Sequence, residues 1–263
     1  SNAGAYIVKR ATEEGFKKLY LLLEDTGWGK SNERTMSKAL KAQGLNVAGV
    51  SWFNWGLGNN QAKLILRNIK QAEADGILFV GNTPEGKTFS RAMIDLPESI
   101  RLPIRSHWGI TGGDFHQSIN KEDRKKLDLQ FIQTNFSFLH RKLSSFENSV
   151  FNAAKEHNTQ ITDVSDIEAQ TGFVHSYDLT KLLIAAIKQV GLTGNRAKDK
   201  LAIHHALEAL NSPVRGLLKT YNRPFSDYSA DNLNAHEALT IDDYTMGYFG
   251  DDNEIVLINK IKE

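Results

Sequence analysis

The sequence has 263 residues, which is enough for one large or two ordinary α/β domains with a buried core. Lysine and arginine number 32 against 31 aspartate and glutamate residues, and this net charge of +1 excludes a strong general attraction to nucleic acid or to an anionic membrane. Because the sequence contains no cysteine, disulfides, thiolate nucleophiles and cysteine-ligated metals are excluded as well.

The clearest strand–loop–helix unit lies near the start of the chain. The apolar run 19–23 predicts a strand buried on both faces, and residues 25–29 predict a loop that places Trp28 between two glycines. Ser31 and Asn32 are the predicted caps of the helix that follows. Because open α/β sheets bind ligands beyond the carboxyl ends of their strands, this loop is predicted to form one wall of a binding site.

Further units of the same kind follow. The apolar runs 77–80 and 102–106 predict two more buried strands, each followed by a glycine-containing loop. Between these units, residues 45–50 predict a strand and residues 51–58 predict an aromatic-rich loop. Alternating strands and helices predict an α/β fold with a doubly wound, mostly parallel sheet. The three glycine-containing loops would then lie at one edge of that sheet.

The second half of the chain is predicted to be mainly helical. Helices are expected over residues 146–156, 166–190 and 197–210, and residues 243–258 predict a closing hairpin. The buried side of the longest helix is predicted to carry Phe173, Tyr177, Leu182, Leu183 and Ile187. These helices need a sheet to cover their apolar faces, but residues 142–210 supply almost no strands. Either these helices pack on the sheet of the first half, or the sheet that they cover is missing from this sequence.

Five segments, in this order, resemble one family. They are AYIVKRATEEGFKKLYLLLEDTGWG, DGILFVGNTPEG, LPIRSHWGITGGDF, FVHSYDLTKLLIAAI and DYTMGYFGDDNEIV. Their order is similar to that in type I periplasmic solute-binding proteins, the branched-chain amino-acid (Leu/Ile/Val) receptors of ABC transporters. The resemblance implies two lobes that trap a ligand between them. Residues 4–136 and 243–260 would form the second α/β lobe, and residues 137–238 a partial, mainly helical first lobe. The family's N-terminal segment, which carries most of the first lobe's sheet, has no counterpart.

The resemblance also implies ligand contacts. Trp28 matches the position of an aromatic residue that contacts the ligand, and the alternative is a tryptophan that only packs in a tight turn. Asn82 and Thr83 match the family's second ligand-contacting loop, and the alternative is a polar turn in which Asn82 is a cap. In amino-acid-binding members, an acidic residue at the position of Trp108 holds the ligand's ammonium group. Because an indole cannot replace a buried carboxylate in that role, Trp108 favours aromatic, carboxylate or amide-bearing solutes over α-amino acids. The remaining candidate contacts are the backbone amides of Gly27 and Gly109 and the side chain of Tyr177, for which ordinary helix packing is the alternative.

The function implied is that of a non-catalytic, periplasmic or extracytoplasmic solute-binding component of an ABC-type uptake system. Its expected partners are a small-molecule solute, the permease subunits and, over the exposed helices, a second copy of the chain. No cofactor, no metal and no nucleic acid is expected. The alternative is a ligand-sensing domain of a signalling receptor with the same fold. An enzyme is a third hypothesis that rests on fold-level analogy alone.

Three catalytic motifs fail on their spacing. The segment 29–31 lacks the earlier glycine of a phosphate-binding loop, and no serine lies in a Gly-x-Ser-x-Gly turn. The pairs His204-His205 and His236-Glu237 lack the spacing of zinc hydrolases and are predicted to be surface or packing histidines. Residues 1–3 are typical of the remnant of a cleaved tag, so the fold is expected to begin at Gly4, and a native signal peptide is expected to be missing from the sequence.

Overall fold

The computed structural model describes residues 2–139, 141–167, 169–232 and 234–258. The chain divides into two compact units. Unit 1 comprises the residues up to Gln133 together with those from Tyr244 onward, and unit 2 comprises Thr134–Asp243. Among the described residues, no helix combines the length and the apolar character needed to span a bilayer.

The regular elements alternate as the sequence predicts. The strands are β1 (Leu19–Glu24), β2 (Gly49–Phe53), β3 (Gly76–Val80), β4 (Ile104–Ser106), β5 (Leu129–Thr134), β6 (Val214–Arg215), β7 (Thr220–Tyr221), β8 (Tyr244–Phe249) and β9 (Ile255–Leu257). The helices are α1 (Asn2–Glu13), α2 (Gly27–Ala42), α3 (Asn59–Gln71), α4 (Thr83–Ile94), α5 (Phe115–Ser118), α6 (Lys121–Arg124), α7 (Ser145–His157), α8 (Gln170–Val190) and α9 (Arg196–Glu208).

Seven strands form one sheet in the order β2-β1-β3-β4-β5-β8-β9, and the first five pair in parallel. β1 lies between β2 and β3, and all six of its residues are buried, as expected for a strand covered on both faces. β8 and β9 form the predicted closing hairpin. The predicted α/β fold with a mostly parallel sheet is therefore confirmed.

The start of α2 differs from the prediction. The helix begins at Gly27, and the hydroxyl of Thr26 caps it by accepting from the amide of Gly29 at 3.2 Å. Gly27, Trp28 and Gly29 therefore form the first helical turn and not a loop, and neither Ser31 nor Asn32 is a cap. A Cβ at Gly29 would overlap the carbonyl oxygen of Glu24, so only glycine fits where the helix turns back over the end of β1.

Four further boundaries were wrong. β2 begins at Gly49 and runs to Phe53, because it pairs with β1 as far as Glu24, so part of the predicted aromatic loop is strand. β4 begins at Ile104, two residues later than predicted. α4 begins at Thr83, whereas the sequence predicts a loop over 81–86 and a short helix over 88–94. Ala3 is buried in α1, so the fold includes residues assigned to a tag remnant.

Unit 2 consists of α7, α8 and α9 with the antiparallel pair β6–β7. The line of buried residues on α8 has a four-residue spacing and comprises Val174, Asp178, Leu182 and Ala186. Leu183, predicted on the buried side, is 42% exposed, because α8 packs on α9 and β6 along the other side. Leu179 and Ile184 are exposed beside it, so α8 presents an apolar face that unit 2 leaves uncovered.

A buried carboxylate ties the β6–β7 pair to α8. Asp178 accepts hydrogen bonds from the amide of Leu217 at 2.6 Å, the amide of Leu218 at 3.2 Å and the hydroxyl of Tyr221 at 2.8 Å. A Cβ at Gly216 would lie 2.5 Å from this carboxylate, so glycine is required there. Three donors satisfy the buried charge and fix the hairpin turn.

Candidate functional site

The candidate site lies in unit 1, where β1, β3 and β4 end side by side. The connection from β1 leads to β2 on one side, whereas the next strand, β3, lies on the other side of β1. The strand order therefore reverses between β1 and β3. Such a switch point at the carboxyl ends of parallel strands is where open α/β sheets form binding crevices. α2 and α4 both begin at this edge, directly after β1 and β3.

Trp28 is central to the aromatic part of the site. Its ring meets the ring of His107 edge to face, with centroids 4.8 Å apart, and it remains partly exposed. A Cβ at Gly109 would overlap the carbonyl oxygen of Gly81 and lie 3.0 Å from Cη2 of Trp28, so the glycine lets the β4 loop approach both groups. The structure thus brings the predicted residues Trp28 and Gly109 together.

Asn82 bridges the ends of β1 and β3. It occupies the N-cap position of α4, but its side chain does not cap the helix. Its amide instead donates to Oε2 of Glu24 at 3.0 Å, which joins the two strand ends at the switch point. Glu24 is buried, whereas Asn82 remains exposed at the edge of the sheet.

Thr83 holds the loop that follows β4. Its hydroxyl lies 3.1 Å from the carbonyl oxygen of Gly109 and 2.8 Å from that of Gly112, and its side chain is buried. The hydroxyl is thus engaged with the loop. A ligand contact by Thr83 stays a prediction, most naturally through its backbone amide in the first turn of α4.

The remaining candidates occupy different places. The ring of Trp108 lies next to His107 at 4.2 Å and Tyr244 at 6.1 Å, on the same edge of unit 1. Gly27 is exposed at the first position of α2. Tyr177 belongs to α8 of unit 2, where its ring meets Phe146 at 6.3 Å. Its ligand contact stays a prediction.

Glu24 and Tyr244 are components of this edge that the sequence did not lead us to expect. A charged residue that ends an otherwise apolar strand, such as Glu24 after the run 19–23, was an available signal. His107, which directly follows β4, was expected in the loop at this edge, but its burial was not. Tyr244 could not have been assigned, because its strand lies far along the chain and reaches the edge only by sheet pairing.

Burial lowers the pKa of His107 to about 3, and the side chain is only 1% exposed. The unfolded chain protonates this histidine below its ordinary pKa of 6.5, whereas the folded chain resists protonation until about pH 3. The unfolded state therefore binds more protons in this window, and stability falls as the pH falls through it. We expect His107 to lower the free energy of unfolding by about 2 to 3 kcal/mol between pH 7 and pH 4.5.

Urea unfolding at the two pH values tests this contribution. All four tryptophans belong to unit 1, so their fluorescence reports the unfolding of that unit. His107→Asn should remove most of this acid destabilisation. His157→Asn, at the exposed end of α7 in unit 2, is the control and should keep the wild-type pH dependence. Equal pH dependence in wild type and His107→Asn would contradict the assignment.

The edge of unit 1 thus combines two helix N-termini, a partly exposed tryptophan and a buried carboxylate that accepts from an exposed amide. These features suit non-covalent binding of a small polar solute with a flat apolar part. No protein-family model matches the sequence, and no curated protein matches it.

Solved structures match the chain over almost its whole length. A type 1 periplasmic binding protein from Bordetella pertussis Tohama I has 16% identity and a TM-score of 0.73 over 98% of this chain and 65% of its own. A solute-binding protein of an ABC transporter from R. palustris, in complex with benzoate, has 14% identity and a TM-score of 0.62 over 97% and 61%. A leucine-binding protein from Thermotoga maritima has 14% identity and a TM-score of 0.64 over 98% and 64%.

The chain therefore has the fold of the type I periplasmic binding proteins, and the resemblance stated from the sequence is confirmed at the level of structure. The similarity to ABC-transporter substrate-binding proteins is remote, and these neighbours are binding proteins. The chain spans about 65% of the length of the first of them.

Proposed function

We propose that the chain is the ligand-binding part of a periplasmic or extracytoplasmic solute-binding protein of an ABC-type uptake system. One observation carries the proposal: a partly exposed Trp28 and the N-termini of α2 and α4 meet at the switch point between β1 and β3. The helix N-termini supply amides for an anionic group, and the indole supplies a face for a flat apolar group. The proposed contacts are Gly27, Trp28, Asn82, Thr83, Trp108, Gly109 and Tyr177.

The ligand we propose is a small aromatic or amide-bearing carboxylate. Trp108 occupies the position that the family resemblance assigns to an ammonium-binding acid in amino-acid receptors, and an indole cannot replace a buried carboxylate in that role. The carboxylate end of the solute would lie against the N-terminal turns of α2 and α4. The benzoate bound by the R. palustris protein has this combination of a carboxylate and an aromatic ring.

Tight binding would require a second wall. In the proposed mechanism two lobes share the ligand and close over it, and the permease recognises the closed form. Unit 1 would supply all of the proposed contacts except Tyr177, and unit 2, which carries Tyr177, would belong to the partial first lobe. The uncovered apolar face of α8 is expected to be covered in the working protein, and a second copy of the chain is the proposed cover. Size-exclusion chromatography measures that association.

Trp28→Ala is expected to weaken binding of benzoate or 4-hydroxybenzoate by about tenfold, because aromatic packing and ring burial together supply on the order of 1.5 kcal/mol. Isothermal titration calorimetry of the chain measures the change. Trp55→Ala is the matched control, since Trp55 is 72% exposed in the loop after β2 and should leave affinity unchanged.

Leucine titrated in parallel tests the ligand class. A leucine affinity above that for the aromatic acids would contradict the proposed class, and equal losses of affinity in the two tryptophan variants would contradict the site.

The alternative function, a sensing domain of a signalling receptor, predicts a kinase or cyclase domain on the same polypeptide. Permease genes beside the coding sequence would instead support uptake.

A further inference from the structure

Three side chains of unit 2 turn their metal-ligating atoms toward one another. One nitrogen from each of His204 and His236 and one carboxylate oxygen of Glu208 all lie within 4.8 Å of one another. Nε2 of His236 is 3.0 Å from Oε1 of Glu208, and Nδ1 of His204 is 3.6 Å from Oε2. Each carboxylate oxygen therefore faces one imidazole ring.

The helix and a later segment bring the cluster together. His204 and Glu208 lie four residues apart in the last turn of α9 and so share one face of the helix. His236 follows Ala235, which is buried and accepts a hydrogen bond from the amide of Ser226 at 3.0 Å. The ring of Phe225 stands perpendicular to that of His236, with centroids 6.4 Å apart. His236 thus extends from a segment that is fixed in unit 2.

The three groups differ in exposure in a way that suits an ion. The side chain of Glu208 is only 11% exposed, whereas those of His204 and His236 are 55% and 49% exposed. The carboxylate is shielded by its surroundings, while both rings are accessible from solvent. An ion could therefore reach the imidazole nitrogens without opening the fold.

We propose that His204, Glu208 and His236 bind a zinc ion. A tetrahedral zinc lies about 2.0 to 2.2 Å from nitrogen and oxygen ligands, which places neighbouring ligand atoms about 3.3 Å apart. The two nitrogen–oxygen separations, 3.0 and 3.6 Å, lie on either side of that value, and rotation of the two half-exposed rings would bring both nitrogens onto one ion. Two imidazoles and one carboxylate favour zinc over magnesium or calcium, which prefer oxygen ligands. The fourth position is left for water.

The proposed ion would join α9 to the segment that precedes β8. Glu208 and His236 are 28 residues apart, so the metal closes a long loop of unit 2. A ligand that binds only the folded chain raises its stability by mass action. In sequence His236 is next to Glu237, but the cluster takes Glu208, which shares a helix face with His204 and meets His236 only through the fold.

Calorimetric titration of the chain with zinc chloride tests the site. We expect one zinc per chain, and at a large excess of zinc a rise of about 5 °C in the thermal unfolding midpoint measured by circular dichroism. Magnesium chloride should give no shift. His204→Gln and His236→Gln should each weaken zinc binding about tenfold or more. His205→Gln, on the next position of α9, and His157→Gln, on the end of α7, are the controls and should bind zinc as wild type does.

Each result decides the proposal. Absence of saturable zinc binding, a stoichiometry of one zinc per two chains, or unchanged affinity in both His204→Gln and His236→Gln would overturn the intrachain site. Both rings are half-exposed, so their replacement should leave the metal-free melting curve unchanged, which is checked in a chelator. The two variants test the same site from different elements, so a folding defect in one leaves the other decisive.

Discussion

Alanine in place of Gly29 is expected to lower the free energy of unfolding of unit 1 by about 3 kcal/mol. A Cβ at this position would overlap the backbone oxygen of Glu24 and lie 3.3 Å from the ring of Trp52. This backbone oxygen cannot rotate away as a flexible side chain can, so the whole of α2 must shift away from the end of β1. The shift would also displace Trp28, and the native tryptophan fluorescence should therefore change.

Gly27 provides the matched control for this substitution. It lies two residues earlier in the same helical turn, and a Cβ there would meet no atom within 4 Å. Gly27→Ala should therefore leave stability within about 0.5 kcal/mol of wild type. Urea unfolding followed by tryptophan fluorescence compares the two variants. If Gly29→Ala were as stable as Gly27→Ala, the described start of α2 would be wrong.

The second large effect is expected at Arg105, a buried cation in β4. Its guanidinium pairs with Glu14 and lies 2.8 Å from Oδ1 of Asp128, and the ring of Phe16 lies 5.3 Å below it. Burial works to lower the pKa of Arg105, but the hydrogen bonds that its guanidinium donates to the carboxylates of Glu14 and Asp128 outweigh burial and raise the pKa. The charge is thus retained inside unit 1 by its partners.

Glu14→Ala is expected to lower the free energy of unfolding by about 3 kcal/mol, because it leaves a buried guanidinium with one half-exposed partner. Glu13→Ala removes the neighbouring carboxylate, which pairs with Arg10 on the surface, and should cost less than about 1 kcal/mol.

The double variant Glu14→Ala/Arg105→Met isolates the buried charge. Since methionine leaves no ion to desolvate, the double variant should be more stable than Glu14→Ala alone in urea unfolding followed by tryptophan fluorescence. A double variant that lost the sum of both single effects would show that packing, and not the unpaired charge, determines the cost.

The buried strands could be predicted from the sequence because both of their faces are covered. All residues of β1 and β3 are buried, and almost all of them are apolar. A continuous apolar run in the sequence is therefore a sufficient signal for such a strand. The start of α2 could not be predicted in this way. Ser31 and Asn32 are good caps by local preference, but the contact between Gly29 and the end of β1 decides where the helix begins.

The candidate site was only partly predictable for the same reason. Trp28 and Gly109 could be placed at one edge because strand–loop–helix order fixes which loops meet there. The bond between Asn82 and Glu24 joins residues 58 positions apart, and the burial of His107 depends on packing against other elements. The exposed side of α8 was also misassigned at Leu183, because a long apolar helix offers two faces and the sequence does not say which one unit 2 covers.

The order of strands in unit 1 has a consequence for how the protein is made. β5 pairs with β4 on one side and with β8 on the other, and β8 is synthesised only after all of unit 2 has left the ribosome. Until then the growing chain presents β5, four of whose six residues are buried in the final fold, as an open edge that can pair with other chains. Early folding of unit 2 brings β8 within reach and shortens the time for which this edge is exposed.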